Sequence, residues 1–395
     1  MQAPAMPVWG KINRDSLRHN IEAIREIVPS NSMIMAVVKA NAYGHGSVES
    51  SMVFLENGAD SLAVATLSEA IELRRAGITA PILILGYTSP EQVESILRWS
   101  ITPTVYTIDY AKSLSGAADR IGVTADIHVK IDSGLGRIGF QPNEASLDAI
   151  SEIKRMPNIN VEGIFTHFAL ADSKDKRYTV KQFNVFENFL DRLTERGISV
   201  PIKHASNSAA IMDQPEYSLD LVRPGCISYG IYPSGDAQRE KLELKPAMAF
   251  KTRITHVKTV PPGTGISYGL TYTTKNECLI GSLSVGYADG YSRVLSNRAE
   301  VWVEGERAPV VGRVCMDQTM VDLTGLQSPV RRSTVTLFGD GQSGEPRVED
   351  VARWMRSIAD EVVSGVSRRV PRVYTRKGKT VKVVDYLQGT YSTAS

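Results

Sequence analysis

Across residues 33–230 the chain repeats one pattern: a short apolar, β-branched run followed by an amphipathic stretch of helical period. The runs are "MIMAVVKA" from Met33, "SLAVAT" from Ser61, "PILILG" from Pro81 and "PTVYTI" from Pro103. Four more follow: "ADIHVKID" from Ala125, "VEGIFTHF" from Val161, "IKHASN" from Ile202 and "LVRPGCISYG" from Leu221. Most carry apolar residues at successive positions, as strands covered on both faces do. The stretches between them read as helices. Residues 68–77 offer a capping serine at Ser68, apolar spacing at Ala70, Ile71 and Leu73, and a terminating glycine. Residues 143–156 and 176–197 follow the same plan. Ahead of the first run, Leu17, Ile21, Ile24 and Val28 mark the apolar face of another helix.

Eight strands alternating with helices predict a TIM-like (β/α)8 barrel of about 230 residues, with a doubly wound sheet as the competing arrangement. The polar residues favour the barrel. Lys39, Lys130, Asp132, His167, Ser206, Asn207 and Arg223 all fall within or just past the ends of their strands, which in a barrel form one face. After Lys245 the pattern changes to extended segments with hairpin signals at "VEGERAPV" and "RKGKTV", and "VEDVARWMRSIADEVV" is its only helical stretch. The expected organisation is a strand in 1–11 joining the β domain, a barrel in 12–244, and a mostly β domain in 245–395.

Composition narrows the function. Hydrophobic and charged fractions of 42% and 22% are those of a globular protein, not a disordered one. Lys and Arg total 45 against 43 Asp and Glu, so no broad field exists to attract nucleic acid or an anionic membrane. A small-molecule or protein partner is the default. Cys226, Cys278 and Cys315 are too few and scattered for a disulfide framework, which suits a reducing cytoplasm. No run reaches the roughly 18 apolar residues of a membrane span, and the first residues lack a signal-peptide core.

The first run raises a chemical question, because "AVVKANAYGHG" ends a buried strand on Lys39 and adds Tyr43, Gly44, His45 and Gly46. An amine that loses hydration at a strand end has its pKa lowered, and a partly neutral lysine can hold an aldehyde such as pyridoxal phosphate. The phosphate would need hydroxyls and backbone N–H groups, available at Tyr43, Ser208 and the "PGC" turn of Pro224, Gly225 and Cys226. A snorkelling lysine before a pair of turn glycines is the plain alternative. His167 alone reads first as a core histidine, and Cys315 equally as a small buried hydrophobe.

Together with "VKIDSGLGRIG", "HASNSAA", "VRPGCISYG", "GISYGLTY", "SVGYADGYSR" and "GRVCMDQTMVD", that stretch resembles the ordered motif series of the alanine racemase family, over nearly the whole chain. The resemblance implies a pyridoxal-phosphate barrel followed by a β domain. It also implies a homodimer in which each active site is completed by the partner's β domain, and a cytoplasmic source of D-alanine for peptidoglycan. Lys39 matches the Schiff-base lysine and Tyr268 the tyrosine supplied by the other subunit. They would stand on opposite faces of the amino acid and exchange its Cα proton, Lys39 for the D-enantiomer and Tyr268 for the L-enantiomer. Arg223 matches the residue at the pyridine nitrogen, and His167 the one joining Arg223 to the tyrosine. Arg137 matches the arginine that meets the cofactor's phenolic oxygen and the substrate carboxylate. Lys130 matches a lysine often carbamylated to fix that arginine. Tyr43, Asn207, Ser208, Gly225 and Cys226 are the cofactor-side positions, and Met316 and Tyr287 the substrate-side ones, with Cys315 and Asp317 in support. Asp360 and Arg368 stand where many members carry tyrosine. Arg368 is the more informative departure, since it would pair with the phosphate or recharge the pocket toward serine or an acidic amino acid. A decarboxylase on the same fold lacks the lysine–tyrosine pair, and a non-catalytic cofactor carrier lacks the β domain.

Overall fold

The structure, a computed structural model, describes residues 6–327 and 331–391. Residues 1–5, 328–330 and 392–395, in the first and last predicted segments, lie outside the described residues. Two compact units are present, one of Arg18–Ala42 and Ser47–Leu244, the other of the described residues of Met1–Leu17, Tyr43–Gly46 and Lys245–Ser395.

In the first unit each apolar run becomes a strand: Met33–Val37, Ser61–Val64, Ile82–Ile84, Thr102–Val105, Ala125–Lys130, Ile159–Phe165, Ile202–His204 and Leu221–Val222. They pair in parallel in chain order, and Met33 and Ile34 return to pair with Leu221 and Val222. The last seam is held by Asp220 N–H to Lys203 O at 3.0 Å and Arg223 N–H to Ser206 O at 3.0 Å. A doubly wound sheet would reverse direction from an interior strand and keep two edges. This one does neither. It is a barrel, whose strands carry fully buried branched residues such as Ile34, Leu62, Ile82, Ile127 and Ile164.

The helices fit their predicted spans with one correction. The helix Leu67–Arg75 is capped by Thr66, not Ser68. The Thr66 side chain accepts from Glu69 N–H, and Glu69 accepts from Thr66 N–H at 3.2 Å, a reciprocal box that needs the acid at the third helical position. Asn143 caps Glu144–Arg155 as expected. Leu17, Ile21 and Ile24 of Arg14–Ile27 are fully buried.

The second unit is built on the long strand Met248–Val260. It pairs antiparallel with Val8–Asn13, Cys278–Leu283 and Thr334–Phe338. Val8–Asn13 also runs parallel to Arg372–Arg376, which turns back into Lys379–Asp385. Both predicted hairpins form, with positive φ at Glu304 and Gly305 and at Lys377 and Gly378, the pattern of a turn matched to strand twist. The single predicted helix is two, Val348–Met355 and Ala359–Ser364, because Arg356 at φ 56° ends the first in a left-handed cap.

Candidate active site

The Lys39 strand ends in an unusual turn. After Val38 N–H bonds Ala63 O at 2.8 Å, residues 40–43 all take left-handed backbone angles, with φ of 52°, 55°, 53° and 50°. Each such L-residue costs roughly 1–2 kcal/mol, so the surroundings must impose the conformation. Three hydrogen bonds do so on the barrel side: Ala40 N–H to Glu69 Oε1 at 2.6 Å, Ala42 N–H to Val38 O at 2.9 Å, and Ser47 N–H to Asn41 Oδ1 at 3.0 Å. Glu69 therefore caps its own helix and anchors the residue after Lys39. Lys39 itself is half-buried.

Across the barrel mouth the predicted cations converge. His167 is held well below its ordinary pKa, by burial and then by the charges of Arg223, Lys130, Arg137 and Lys39 in that order. Arg223 is buried and donates to Thr166 O at 2.8 Å, Ala205 O at 2.9 Å and, more weakly, His167 Nδ1 at 3.4 Å. Burial, with Arg137 in support, pulls its pKa down to about 9, so it remains charged at neutral pH. Lys130 is buried, donates to Ile131 O at 2.8 Å, and is lowered to about 7, chiefly by burial and then by Arg223.

The nearby acid is already committed. Asp132 Oδ1 accepts from the N–H groups of Gly134, Leu135 and Gly136 at 2.8–3.1 Å, and Oδ2 from Arg137 N–H at 3.0 Å. Burial alone would raise its pKa, but these four donors outweigh it and hold it below the ordinary value. Asp132 thus shapes the "SGLGR" loop that carries the exposed Arg137. On another edge, Ser208 Oγ accepts from Gly225 N–H at 2.9 Å, leaving the hydroxyl proton to donate. Asn207 uses its side chain to cap the helix Ser208–Asp213, and Cys226 is buried beside the same turn.

The sequence reading missed a second set of residues. The shortest side-chain partner of Arg223 is His204, with Nη1 to Nδ1 at 2.5 Å. Arginine only donates, so His204 carries its proton on Nε2 and gives it to His128 Nδ1 at 2.8 Å. His128 in turn keeps its proton on Nε2, facing Glu162 Oε2 at 3.2 Å. That bond is the main cause holding the Glu162 pKa below its ordinary value. Phe165 stacks on His204 with centroids 4.6 Å apart. One line of neutral rings therefore connects a half-exposed carboxylate to the buried guanidinium.

The other predicted residues belong to the strand-rich unit and gather around the Cys315 loop. Tyr268 is 71% exposed in the short turn Tyr268–Leu270. The preceding Ser267, at φ 65°, donates from Oγ to Arg313 O at 2.6 Å and sits 3.4 Å from Cys315 Sγ. Tyr287 N–H and Ala288 N–H bond to Cys315 O and Met316 O at 3.0 and 3.1 Å. Arg369 locks the two loops together, donating to Asp289 and Asp317 at 2.7 Å each. Among the described residues no acceptor takes the Met316 N–H. Tyr287 and Met316 are exposed, Arg368 lies over the Tyr386 ring at 5.0 Å, and Asp360 sits in the first turn of Ala359–Ser364.

The barrel mouth fits a cofactor bearing a phosphate. Asp132 there is satisfied by backbone N–H groups, the charges acting on His167 are cationic, and Ser208 offers a hydroxyl donor. Residues 12–233 match the model of the alanine racemase N-terminal domain, and residues 247–374 that of its C-terminal domain. An alanine racemase of Desulforamulus reducens is 53% identical over 368 residues, covering 93% of this chain and 99% of its own. One of Methanococcus maripaludis is 50% identical over 368 residues, covering 93% and 98%. The solved alanine racemase of Clostridium difficile 630 superposes with a TM-score of 0.94 at 45% identity, over 98% of this chain and 100% of that one. Matches of this extent, across both units, establish that the chain belongs to the alanine racemase family.

Proposed function

We propose that the chain interconverts L- and D-alanine with pyridoxal phosphate as cofactor, as a homodimer that supplies D-alanine for peptidoglycan in the cytoplasm. The supporting observation is the convergence of Lys39, Lys130, Arg137 and Arg223 on His167 at the barrel mouth. Pyridoxal phosphate bound there would withdraw electrons from an amino acid and make its Cα proton acidic. Lys39 carries the cofactor and moves the proton of the D-enantiomer. Tyr268 of the partner subunit moves that of the L-enantiomer from the opposite face. Arg223 stays charged and would donate to the ring nitrogen. His167, 3.4 Å from Arg223 Nη2, would link Arg223 to the phenol and, with its ring proton on Nε2, donate to the phenol oxygen and favour its basic form. Arg137 and the N–H of Met316 of the partner subunit take the substrate carboxylate. Tyr43 and Ser208, with the Gly225–Cys226 turn, serve the phosphate side, and Tyr287 lines the entrance.

The test is a racemisation screen over alanine, serine, aspartate, glutamate and lysine. Alanine is expected to turn over fastest. Faster turnover of another amino acid would overturn the substrate assignment and make Arg368 the first residue to examine.

Lys130 is read as a carbamate. With a pKa near 7 a large share of its amine is neutral at physiological pH, the form that adds carbon dioxide and releases a proton. The resulting anion would sit beside Arg223 and Arg137, replacing cation–cation repulsion with attraction. Protein exchanged into carbon-13 bicarbonate should show a carbamate carbon signal that Lys130→Ala removes. A free amine in fully active enzyme excludes the modification.

A further inference from the structure

We infer that Arg372 and Tyr374 are positioning residues for Lys39, gripping the exit of its left-handed turn. This inference rests on the reading of Lys39 as the cofactor-bearing lysine. The barrel-side hydrogen bonds secure residues 40, 41 and 42, and the turn then runs on into Gly44 and His45. There the strand Arg372–Arg376 takes over. Arg372 Nε donates to Gly44 O at 2.7 Å, and Tyr374 Oη donates to His45 O at 2.9 Å. Adjacent outward-facing carbonyls are thus held by alternate residues of one strand. Tyr43–Gly46 accordingly groups with this strand-rich unit, although its chain neighbours on both sides group with the barrel.

The fit leaves no room for a side chain. A Cβ on Gly44 would stand 2.0 Å from Val363 O, and one on Gly46 1.8 Å from Tyr374 Oη. Their φ values of 80° and 98° also favour glycine. The two glycines after the lysine, chemically silent in the sequence, are the contact surface of this grip.

Arg372 is an expensive way to secure a loop. It is fully buried, and the ion pairs found among the described residues include none to it. Its remaining donors go to Val366 O, Ser367 O and Val370 O at 2.5–2.8 Å. A buried cation without a counter-ion is seldom the most stable filling of such a space, whereas a rigid fork of donors fixes geometry well. The geometry fixed here is the start of a strained turn whose first residue is Lys39. A side chain with four rotatable bonds delivers its amine reproducibly only if its Cα direction is set.

The test uses the full-length protein with Tyr374→Phe and Arg372→Lys. Hydrogen exchange is followed by peptide in the cofactor-free protein, and the dissociation constant for pyridoxal phosphate is measured alongside. In both variants, amides of residues 39–47 are expected to exchange about tenfold faster or more, while those of Ala125–Lys130 keep their wild-type rates. Cofactor affinity should fall by about tenfold. Wild-type exchange in 39–47, or acceleration shared equally by every peptide, overturns the inference, as does unchanged cofactor affinity. If Arg372→Lys does not fold, Tyr374→Phe decides alone, since it removes a single hydroxyl. Borohydride trapping of the cofactor on wild-type Lys39 separates failure of the grip from failure of the lysine's assignment.

Discussion

Alanine racemisation should fall by about 10⁴-fold or more in Lys39→Ala, the scale seen when one member of a catalytic set is removed. Two losses combine. The amine no longer carries the cofactor, and no group on that face remains to hold the proton of the D-enantiomer. Cofactor binding should weaken without vanishing, because Arg223, Ser208 and the Asp132-ordered loop do not depend on the lysine. Borohydride treatment followed by peptide mass analysis checks the covalent part: wild type should carry the reduced adduct on the peptide containing Lys39, and the variant none. An alanine variant within tenfold of wild type, or an adduct trapped on Lys130, would remove Lys39 from the centre of the reaction.

Tyr268→Phe should lower turnover by about 10³-fold, within the range that positioned acid–base groups contribute with some added loss of orientation. The two enantiomers have equal free energy, so kcat/KM must fall equally in both directions, and a one-way loss cannot be observed. The asymmetry appears instead in isotope exchange. In heavy water the variant should wash out the Cα proton of D-alanine through Lys39 while leaving that of L-alanine in place. Wild type should exchange both as it racemises. Equal washout of the two enantiomers by the variant, or turnover unchanged from wild type, sinks the two-base reading. The phenol is 71% exposed within its own chain, so the substitution disturbs little packing and the result reports on chemistry.

The barrel was legible because its strands are buried on both faces and so appear as unbroken apolar runs with polar residues at one end. The Thr66 box was also legible: the spacing from Thr66 to Glu69 is its signature, while Ser68, two residues on, already lies inside the helix. The break at Arg356 was not. Nothing marks an arginine as a left-handed cap, and only packing selects it. The turn after Lys39 was equally hidden, since alanine and tyrosine avoid that region when left to themselves. His128, Glu162 and His204 come from three different strands, and their meeting depends on strand register that no local motif encodes. The motif series led to His167 as the companion of Arg223, yet the 2.5 Å partner is His204, with His167 at 3.4 Å.

The excursion of Tyr43–Gly46 also bears on how the protein can be dissected. A gene cut after Leu244 would preserve all eight barrel strands, Lys39 and the Arg223 network. It would nevertheless discard Arg372 and Tyr374, and with them the donors for Gly44 O and His45 O. No single break in the polypeptide separates the two units, because one of them owns four residues in the middle of the other's sequence. Swapping C-terminal domains between relatives is for the same reason never a swap of one half alone: the transplanted strand must accept the recipient's own glycine arc.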